Sequence, residues 1–225
     1  MTETVERLEP GVDMLAGLTQ EEDARTVRLG DGPITFEEFL TMADPKTWIE
    51  LVDGMLVEKP TVQYEHEKLE VWIVTVLNGY VKNLGLGEVL GSRSAVRIND
   101  FGARLPDIFF VRNEREASIQ RMATMVAPDL VLEIVSPSDR RSHLIALEAD
   151  YRSVGVREIL FIDQQRKRIR LLRKRDEAYE ATELTDGTWR SETVEGFAVE
   201  VAWLLNDPRP DELTTLNALV AAARS

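Results

Sequence analysis

The chain has 225 residues, of which 44% are hydrophobic and 7% aromatic, a length and composition typical of one globular α/β domain. The absence of cysteine excludes disulfides and thiolate metal sites, and two histidines are too few for a multi-histidine zinc site, so any metal ion is expected to have oxygen ligands. A net charge of −13 argues against a general DNA-coating role, because it repels nucleic acid at long range. Charged residues interrupt every hydrophobic run, so we expect no membrane span, and without a recognisable secretion signal we expect a cytoplasmic protein.

The N-terminal segment differs in character from the rest of the chain. Residues 1–30 have no sustained periodicity and are predicted to form a flexible arm, which leaves residues 31–225 as a single domain. A short helix is predicted after Pro33, because Thr35 and Glu38 have the spacing of a capping box and apolar residues follow at helical spacing.

Two further elements follow this helix. Asp53 and Gly54 separate two short apolar runs, and because an Asp-Gly pair favours positive φ angles, this pattern predicts a β-hairpin. Between residues 65 and 84, apolar side chains recur with the 3.6-residue period of a helix, and Gly85 is placed to end that helix. We therefore predict a hairpin followed by the main core helix.

The centre of the chain contains three predicted strands, a helix and a fourth strand. The three strands are expected at residues 87–98, 105–111 and 129–135, and the last two are almost continuously apolar, as strands buried on both faces are. The helix at residues 140–154 and the strand at residues 157–163 come next, and this order predicts a right-handed crossover. Short antiparallel strands are predicted at residues 168–173, 179–184, 189–193 and 198–201, and a helix at residues 211–224.

Two acidic residues, Asp107 and Glu133, lie inside the two most hydrophobic predicted strands. Burying an ionised carboxylate costs on the order of several kcal/mol unless the group is paired, neutralised or bound to a metal ion. Each acid alone could instead lie at a solvated sheet end or pair with an arginine such as Arg104 or Arg157. Two carboxylates in neighbouring strands favour a metal site.

These residues and their neighbours resemble the Uma-two (Uma2) family of restriction endonuclease-like proteins, a branch of the PD-(D/E)XK nuclease superfamily. The resemblance extends from about residue 35 to residue 205. It rests on residues 49–54, His66, Pro106 with Asp107, residues 128–138, Tyr151 with residues 154–156, and residues 161–163. It implies an α/β fold with a restriction-endonuclease-like core, in which helices flank a central mixed β-sheet extended by antiparallel hairpins. It also implies an Mg²⁺- or Mn²⁺-dependent endonuclease that acts on DNA as a homodimer.

The resemblance also implies roles for particular residues. Asp107 and Glu133 match the two acids that hold the metal ion, with the backbone carbonyl of Ile134 as a further ligand, and such an ion polarises the scissile phosphate and activates a water molecule. Glu50 and His66 match other recurrent positions, where Glu50 would act through a water and His66 would contact a phosphate. The alternatives are a Glu50 paired across the hairpin and a His66 that is simply satisfied at the start of its helix.

One feature departs from the family pattern. The lysine expected two residues after the second acid is replaced by Val135, and the alternative lysine position, on the next helix, holds Leu147. His143 occupies the position of an expected acid one turn earlier, and it could replace the lysine, as could Arg140 or Arg141. The competing hypothesis is a catalytically silent relative that binds nucleic acid or a protein partner, in which Leu147 faces the core. A weaker third hypothesis is an accessory protein that acts through protein contacts.

A basic cluster begins directly after the strand at residues 157–163. Arg166, Lys167 and Arg168 are its first three members, and seven cations fall between residues 166 and 175. This cluster predicts a rim that contacts DNA phosphates beside the site. The alternative is a solvated hairpin whose cations pair with the abundant acidic residues.

Overall fold

The computed structural model describes residues 6–8, 26–27, 32–42, 48–59, 62–121 and 123–224. The helices in these ranges are α1 (Phe36–Met42), α2 (Tyr64–Leu84), α3 (Arg141–Val154), α4 (Val201–Leu205), α5 (Glu212–Ala223) and a 3-10 helix at Asn113–Ser118. No helix in this described part of the chain is long and apolar enough to cross a membrane. The strands are β1 (Glu6–Leu8), β2 (Thr26–Val27), β3 (Ile49–Val52), β4 (Met55–Glu58), β5 (Gly87–Gly91), β6 (Ala95–Asn99), β7 (Gly102–Arg104), β8 (Ile108–Arg112), β9 (Ala123–Thr124), β10 (Leu130–Ile134), β11 (Glu158–Asp163), β12 (Arg168–Arg175), β13 (Ala178–Leu184), β14 (Thr188–Arg190) and β15 (Ala198–Glu200).

The central sheet has seven strands in the order β1-β13-β12-β11-β10-β8-β5. Strands β10 and β11 are parallel and are joined by α3, as predicted, whereas the other neighbours in this sheet are antiparallel. A second mixed sheet has the order β2-β4-β3-β7-β6-β9, and β14 and β15 form a separate antiparallel pair. The predicted fold class, an α/β protein with a mixed central sheet and additional antiparallel hairpins, is confirmed.

Helices α2 and α3 pack against two hydrophobic clusters of the central sheet. The α2 cluster includes Leu69, Val76 and Leu77 of the helix and Ile108, Phe110, Leu130 and Leu132 of the sheet. The α3 cluster includes Leu147 and Tyr151 of the helix and Phe109, Val131 and Phe161 of the sheet. Full burial of each such side chain contributes about 1.5–3 kcal/mol to folding. Alternation along β10 places Glu133 on the same side as Val131, facing α3.

Three local predictions are confirmed by the backbone geometry. The backbone N–H of Thr35 donates to the carboxylate of Glu38 at 2.8 Å, and the N–H of Glu38 donates to Thr35 Oγ1 at 3.2 Å, which completes the capping box of α1. Between β3 and β4, Asp53 and Gly54 have φ angles of 49° and 74°, as a two-residue hairpin turn requires. Gly85, with φ of 65°, ends α2.

The prediction of one strand at residues 87–98 is wrong. This segment forms β5 and β6, which belong to different sheets. The N–H of Ser94 donates to the carbonyl of Gly91 at 3.1 Å and closes a turn between them. This turn lets β5 pair with β8 while β6 pairs with β7. Apolar content alone did not reveal this change of partner.

Two segments of the predicted N-terminal arm are strands. β1 pairs with β13 of the central sheet, and β2 pairs with β4 of the second sheet. The expectation of little structure is therefore wrong for these five residues. The remainder of residues 1–30 lies outside the described residues, and the division of the chain at residue 30 stays a prediction.

Candidate metal centre

Asp107 lies directly before β8 and is 2% exposed. Its Oδ1 accepts a hydrogen bond from Lys59 Nζ at 2.7 Å, and its Oδ2 accepts from the backbone N–H of Ile134 at 2.8 Å and lies 3.1 Å from His66 Nε2. Burial opposes ionisation, but the charge of Lys59 and the hydrogen bond from His66 hold the pKa of Asp107 well below its usual range. Asp107 is therefore a carboxylate.

Glu133 lies in β10, next to β8, and is 5% exposed. One of its oxygens accepts a hydrogen bond from the hydroxyl of Tyr151. Arg104 and Arg157, the arginines considered as partners, form ion pairs with other acids. Burial and the neighbouring charge of Asp107 raise the pKa of Glu133 well above its usual range. Glu133 is thus a buried acid without a cation at ion-pair distance among the described residues.

Glu158, a buried acid with a structural role, has different partners from Glu133. Glu158 is fully buried, but its two oxygens accept hydrogen bonds from Trp189 Nε1 and Ser191 Oγ at 3.1 and 2.7 Å, and Arg173 lies 3.2 Å away. Its charge and its lone pairs are matched by protein groups. Glu133 has the hydroxyl of Tyr151 but no cation at ion-pair distance among the described residues, and a divalent cation shared with Asp107 would supply the missing positive charge. The donor set of these two acids therefore fits a hard cation.

Glu50 holds the segment that leads to Asp107. Its Oε2 accepts from Arg104 Nη1 at 2.9 Å, and its Oε1 accepts from the backbone N–H of Leu105 at 2.9 Å. Burial opposes its charge, but Arg104 together with Lys59 lowers the pKa of Glu50. Arg104 belongs to β7, so Glu50 is paired with the neighbouring strand and not across its own hairpin. Its action through a water stays a prediction.

Lys59, which follows β4, is one of two site residues that sequence reasoning missed. Its Nζ donates to the carbonyl oxygen of Leu105 and to Asp107 Oδ1, both at 2.7 Å, and its side chain is 16% exposed. Burial opposes its charge, but Asp107 and Glu133 outweigh that cost and raise its pKa above the usual value. Lys59 therefore places a permanent ammonium group between the two sheets, beside both acids.

The hairpin contained a signal for this residue. Glu50 pairs with Val57 across the turn, and residues directly opposite each other share a face of the sheet. Lys59 lies two residues after Val57 and therefore continues on the face of Glu50. The register predicted from Asp53 could thus have placed Lys59 beside Glu50, although not beside Asp107, which lies 48 residues away in sequence.

Comparison with known proteins agrees with this architecture. The sequence pattern of the Uma2 family, described as "Putative restriction endonuclease", matches residues 36–205. The chain belongs to the Uma2 family. A crystal structure described as a "putative nuclease belonging to DUF820", from Anabaena variabilis ATCC 29413, has a similar fold, with a TM-score of 0.65, 21% sequence identity, and coverage of 77% of this chain and 98% of that chain. No match was found among curated proteins.

The two positions at which a lysine was expected, 135 and 147, hold apolar side chains that pack in or against the α3 cluster. Leu147 is 5% exposed and packs in the α3 cluster with Tyr151, as the alternative of a core-facing Leu147 predicted. Val135 is half-buried against the same cluster. Neither position could hold an ammonium group without a change in packing.

The three proposed replacements for the lysine lie at the start of α3. Arg140 and Arg141 are exposed, and His143 is half-buried. Burial lowers the pKa of His143, although the charge of Glu50 acts in the opposite direction, so the ring is mainly neutral near pH 7. None of the three forms a described ion pair with either acid, whereas Lys59 pairs with Asp107. Their catalytic and DNA-binding roles stay predictions.

His66 lies in the first turn of α2 beside Asp107, together with Glu70, which sequence reasoning missed; its contact with a phosphate stays a prediction. Its Nε2 lies 3.1 Å from Asp107 Oδ2, whereas its Nδ1 has no hydrogen-bond partner among the described residues and lies 3.7 Å from Glu70 Oε2. Burial and the charge of Asp107 raise the pKa of Glu70 to about 7. One ligand atom from each of these three residues lies within 4.8 Å of the others. Their i,i+4 spacing on the predicted helix was the available signal for Glu70.

Three cations of the basic cluster after β11 contact other groups of the same chain. Arg166 pairs with Asp163 at 2.9 Å, Arg168 pairs with Glu183 at 2.8 Å, and Lys167 Nζ donates to a backbone carbonyl at the end of α4 at 2.6 Å. These are the contacts expected of the alternative, a hairpin whose cations are neutralised locally. A role of these residues in phosphate binding stays a prediction.

Proposed function

We propose that this protein is an endonuclease that hydrolyses phosphodiester bonds of DNA with Mg²⁺ or Mn²⁺ bound between Asp107 and Glu133. One observation carries the proposal. Two buried carboxylates face each other from neighbouring strands, and only Asp107 has a cation at ion-pair distance among the described residues. A stable core does not need this arrangement, since a second acid buried beside Asp107 without its own cation is costly, whether it stays ionised or has to take up a proton.

Each residue of the site has a separate role in the proposed reaction. Asp107, Glu133 and the carbonyl of Ile134 would hold the ion, which polarises the scissile phosphate and lowers the pKa of a water molecule. Tyr151 orients Glu133 through its hydroxyl. Lys59 holds a positive charge at Asp107 Oδ1, where it would stabilise the attacking hydroxide and the negative charge that develops on phosphorus.

The silent alternative is favoured by the apolar residues at both lysine positions, Val135 and Leu147. Lys59 weighs against it, because the charge that those positions lack is present at the site from another strand end. A protein that only retained the fold would not need Asp107, Glu133 and the ammonium group of Lys59 close together in its interior. The active enzyme is therefore the better proposal.

The proposed substrate and assembly follow from the same chemistry. DNA binding would depend on the metal ion and on local cations, since the net charge of −13 disfavours a long-range attraction. A homodimer would present two sites to the two strands of a duplex. Both statements are part of the proposal, as is a cytoplasmic location.

The experiment that tests the proposal is cleavage of supercoiled plasmid and single-stranded DNA in Mg²⁺, in Mn²⁺ and in a chelator. The parent is compared with Asp107→Asn and with Asp129→Asn, a matched change of a buried aspartate at the other end of β10. We expect cleavage by the parent and by Asp129→Asn, and at least a hundredfold loss in Asp107→Asn. Thermal unfolding confirms that each variant is folded. Equal cleavage by all three would identify a contaminating nuclease and reject the proposal, and no cleavage despite metal binding would favour the silent relative.

A further inference from the structure

One buried nitrogen beside the candidate metal centre has no hydrogen-bond partner in the described part of the chain. His66 Nε2 lies 3.1 Å from Asp107 Oδ2, and because an ionised carboxylate can only accept, Nε2 carries the hydrogen. In the neutral ring Nδ1 is then left with a lone pair. None of the described residues forms a hydrogen bond with Nδ1, although the side chain is only 6% exposed.

The lone pair of Nδ1 faces another acceptor. Glu70, one helical turn further along α2, places Oε2 3.7 Å from His66 Nδ1. This separation is too long for a hydrogen bond, and the Nδ1 lone pair and the ionised Glu70 carboxylate repel each other unless a proton or a metal ion lies between them. Metal bonds of about 2.1 Å to nitrogen and oxygen separate two ligands of one ion by roughly 3 to 4 Å, so the observed spacing is compatible with both atoms binding one ion.

The contact of His66 with Asp107 is also the kind of contact that orients a metal-binding histidine. Metal-binding histidines commonly donate their other ring N–H to a carboxylate, which fixes the ring orientation and makes the ligand nitrogen more basic. Asp107, His66 and Glu70 form such a series, with one ligand atom from each within 4.8 Å of the others. The arrangement is thus an orienting carboxylate, an imidazole and a second carboxylate.

The position is open on one side. Glu70 lines a groove of about 580 Å³ between α2 and the β5–β6 turn, together with Ser92, Ser94, Arg93 and Arg121. Water or a phosphate oxygen in this groove could supply the remaining ligands of an ion, as is usual where the protein provides few of them. The two arginines would favour an anionic group there.

We infer that His66 Nδ1 and the carboxylate of Glu70 form a second cation position, separate from the Asp107–Glu133 pair, that takes a first-row transition ion such as Mn²⁺ or Zn²⁺ in preference to Mg²⁺. The preference follows from the imidazole ligand, because Mg²⁺ selects oxygen whereas imidazole suits first-row transition ions. Such a position would depart from the expectation of oxygen ligands alone, which was drawn from composition. The inference concerns ion binding and does not depend on hydrolysis.

The alternative to a metal ion on Nδ1 is a proton. A protonated His66 would pair with Glu70 directly, and the two explanations predict different responses of the ring nitrogen resonances to added metal. The chain has two histidines, so the ring nitrogens of His66 can be followed by NMR in protein labelled with ¹⁵N-histidine, and His143 serves as an internal reference. Zn²⁺, which is diamagnetic, is the probe.

We expect Zn²⁺ to shift the Nδ1 resonance of His66 strongly and to leave the ring of His143 almost unchanged. The same experiment in Glu133→Gln should give the same shift, since that change removes the first position and leaves the second. An Nδ1 resonance of His66 that does not respond to Zn²⁺ would overturn the inference and assign a proton to this nitrogen.

Binding of Mn²⁺, measured by electron paramagnetic resonance, provides the second readout. We expect Glu70→Gln to weaken one class of Mn²⁺ sites by about tenfold or more. Glu67→Gln is the matched control, because Glu67 lines the same groove but forms no described ion pair or hydrogen bond with the ring of His66. Equal Mn²⁺ affinity in Glu70→Gln and Glu67→Gln would overturn the inference. Failure of DNA cleavage with this Mn²⁺ site intact would reject the proposed function alone.

Discussion

Lys59 and Asp107 form a buried ion pair, with 2.7 Å between Nζ and Oδ1. The pair joins the end of the β3–β4 hairpin to the residue that precedes β8 in the central sheet. It places an ammonium group beside Asp107, whereas the two positions at which a lysine was expected hold Val135 and Leu147. The consequences for activity and stability can be measured separately.

Replacement of Lys59 by methionine tests its catalytic role. We expect Lys59→Met to lower the rate of DNA cleavage by about 10²–10³-fold, because an electrostatic contact to the developing charge is lost. The free energy of unfolding without metal should also fall, by about 3 kcal/mol, since Asp107 loses its cation. Saturating Mn²⁺ should restore most of that stability but not the rate. Lys82→Met, which removes an exposed lysine of α2, is the control, and cleavage by Lys59→Met at the parental rate would contradict the assignment.

A lysine at position 147 tests whether the two ammonium positions are equivalent. Leu147 lies one helical turn before Tyr151, whose hydroxyl contacts Glu133. We therefore expect Leu147→Lys, introduced into Lys59→Met, to recover at least tenfold in cleavage rate. In the parental background the same change should cost about 2–4 kcal/mol of stability, because Leu147 is in the core.

The control for this rescue is Ser142→Lys in the same Lys59→Met background. Ser142 is exposed near the start of α3, so this variant adds the same charge without placing it at the acids. Equal recovery with Ser142→Lys would show that a general attraction for DNA, and not the position of the ammonium, determines the rate.

The two buried glutamates of the central sheet should respond differently to replacement by glutamine. Glu133→Gln is expected to change the free energy of unfolding without metal by less than about 1 kcal/mol, because the raised pKa of Glu133 already favours the uncharged acid, and to abolish most of the stabilisation by Mg²⁺. Glu158→Gln should cost about 3 kcal/mol, because Arg173 loses its partner, and should keep the response to Mg²⁺. Urea unfolding with and without Mg²⁺ measures both effects. Destabilisation by Glu133→Gln equal to that of Glu158→Gln would mean that Glu133 is a structural acid.

The pKa of Glu70 predicts how stability depends on pH in the absence of metal. Burial raises this pKa from 4.5 to about 7, so the folded protein binds the proton more tightly than the unfolded chain does. Its contribution to stability is fully present below pH 4.5 and is lost as pH rises through 7. In urea unfolding across this range, the parent should lose up to about 3 kcal/mol relative to Glu70→Gln. Parallel curves for the two proteins would contradict the raised pKa.

Much of the fold and part of the site could be predicted from short stretches of sequence. The capping box of Thr35 and Glu38, the turn at Asp53 and the end of α2 at Gly85 depend on residues within a few positions of each other, and each is confirmed. The burial of Asp107 and Glu133 followed from the apolar strands that contain them. Periodicity, propensity and burial are local properties, so a single sequence determines them.

The tertiary structure alone decided which charged groups from distant parts of the chain meet. Lys59 reaches Asp107 across 48 residues because the hairpin that precedes it lies against β7, and His66 of α2 meets the same aspartate directly before β8. The predicted strand at residues 87–98 failed for the same reason, since its two halves pair in different sheets. Strand pairing and the proximity of distant side chains depend on how the whole core packs, and no local pattern of residue types records that choice.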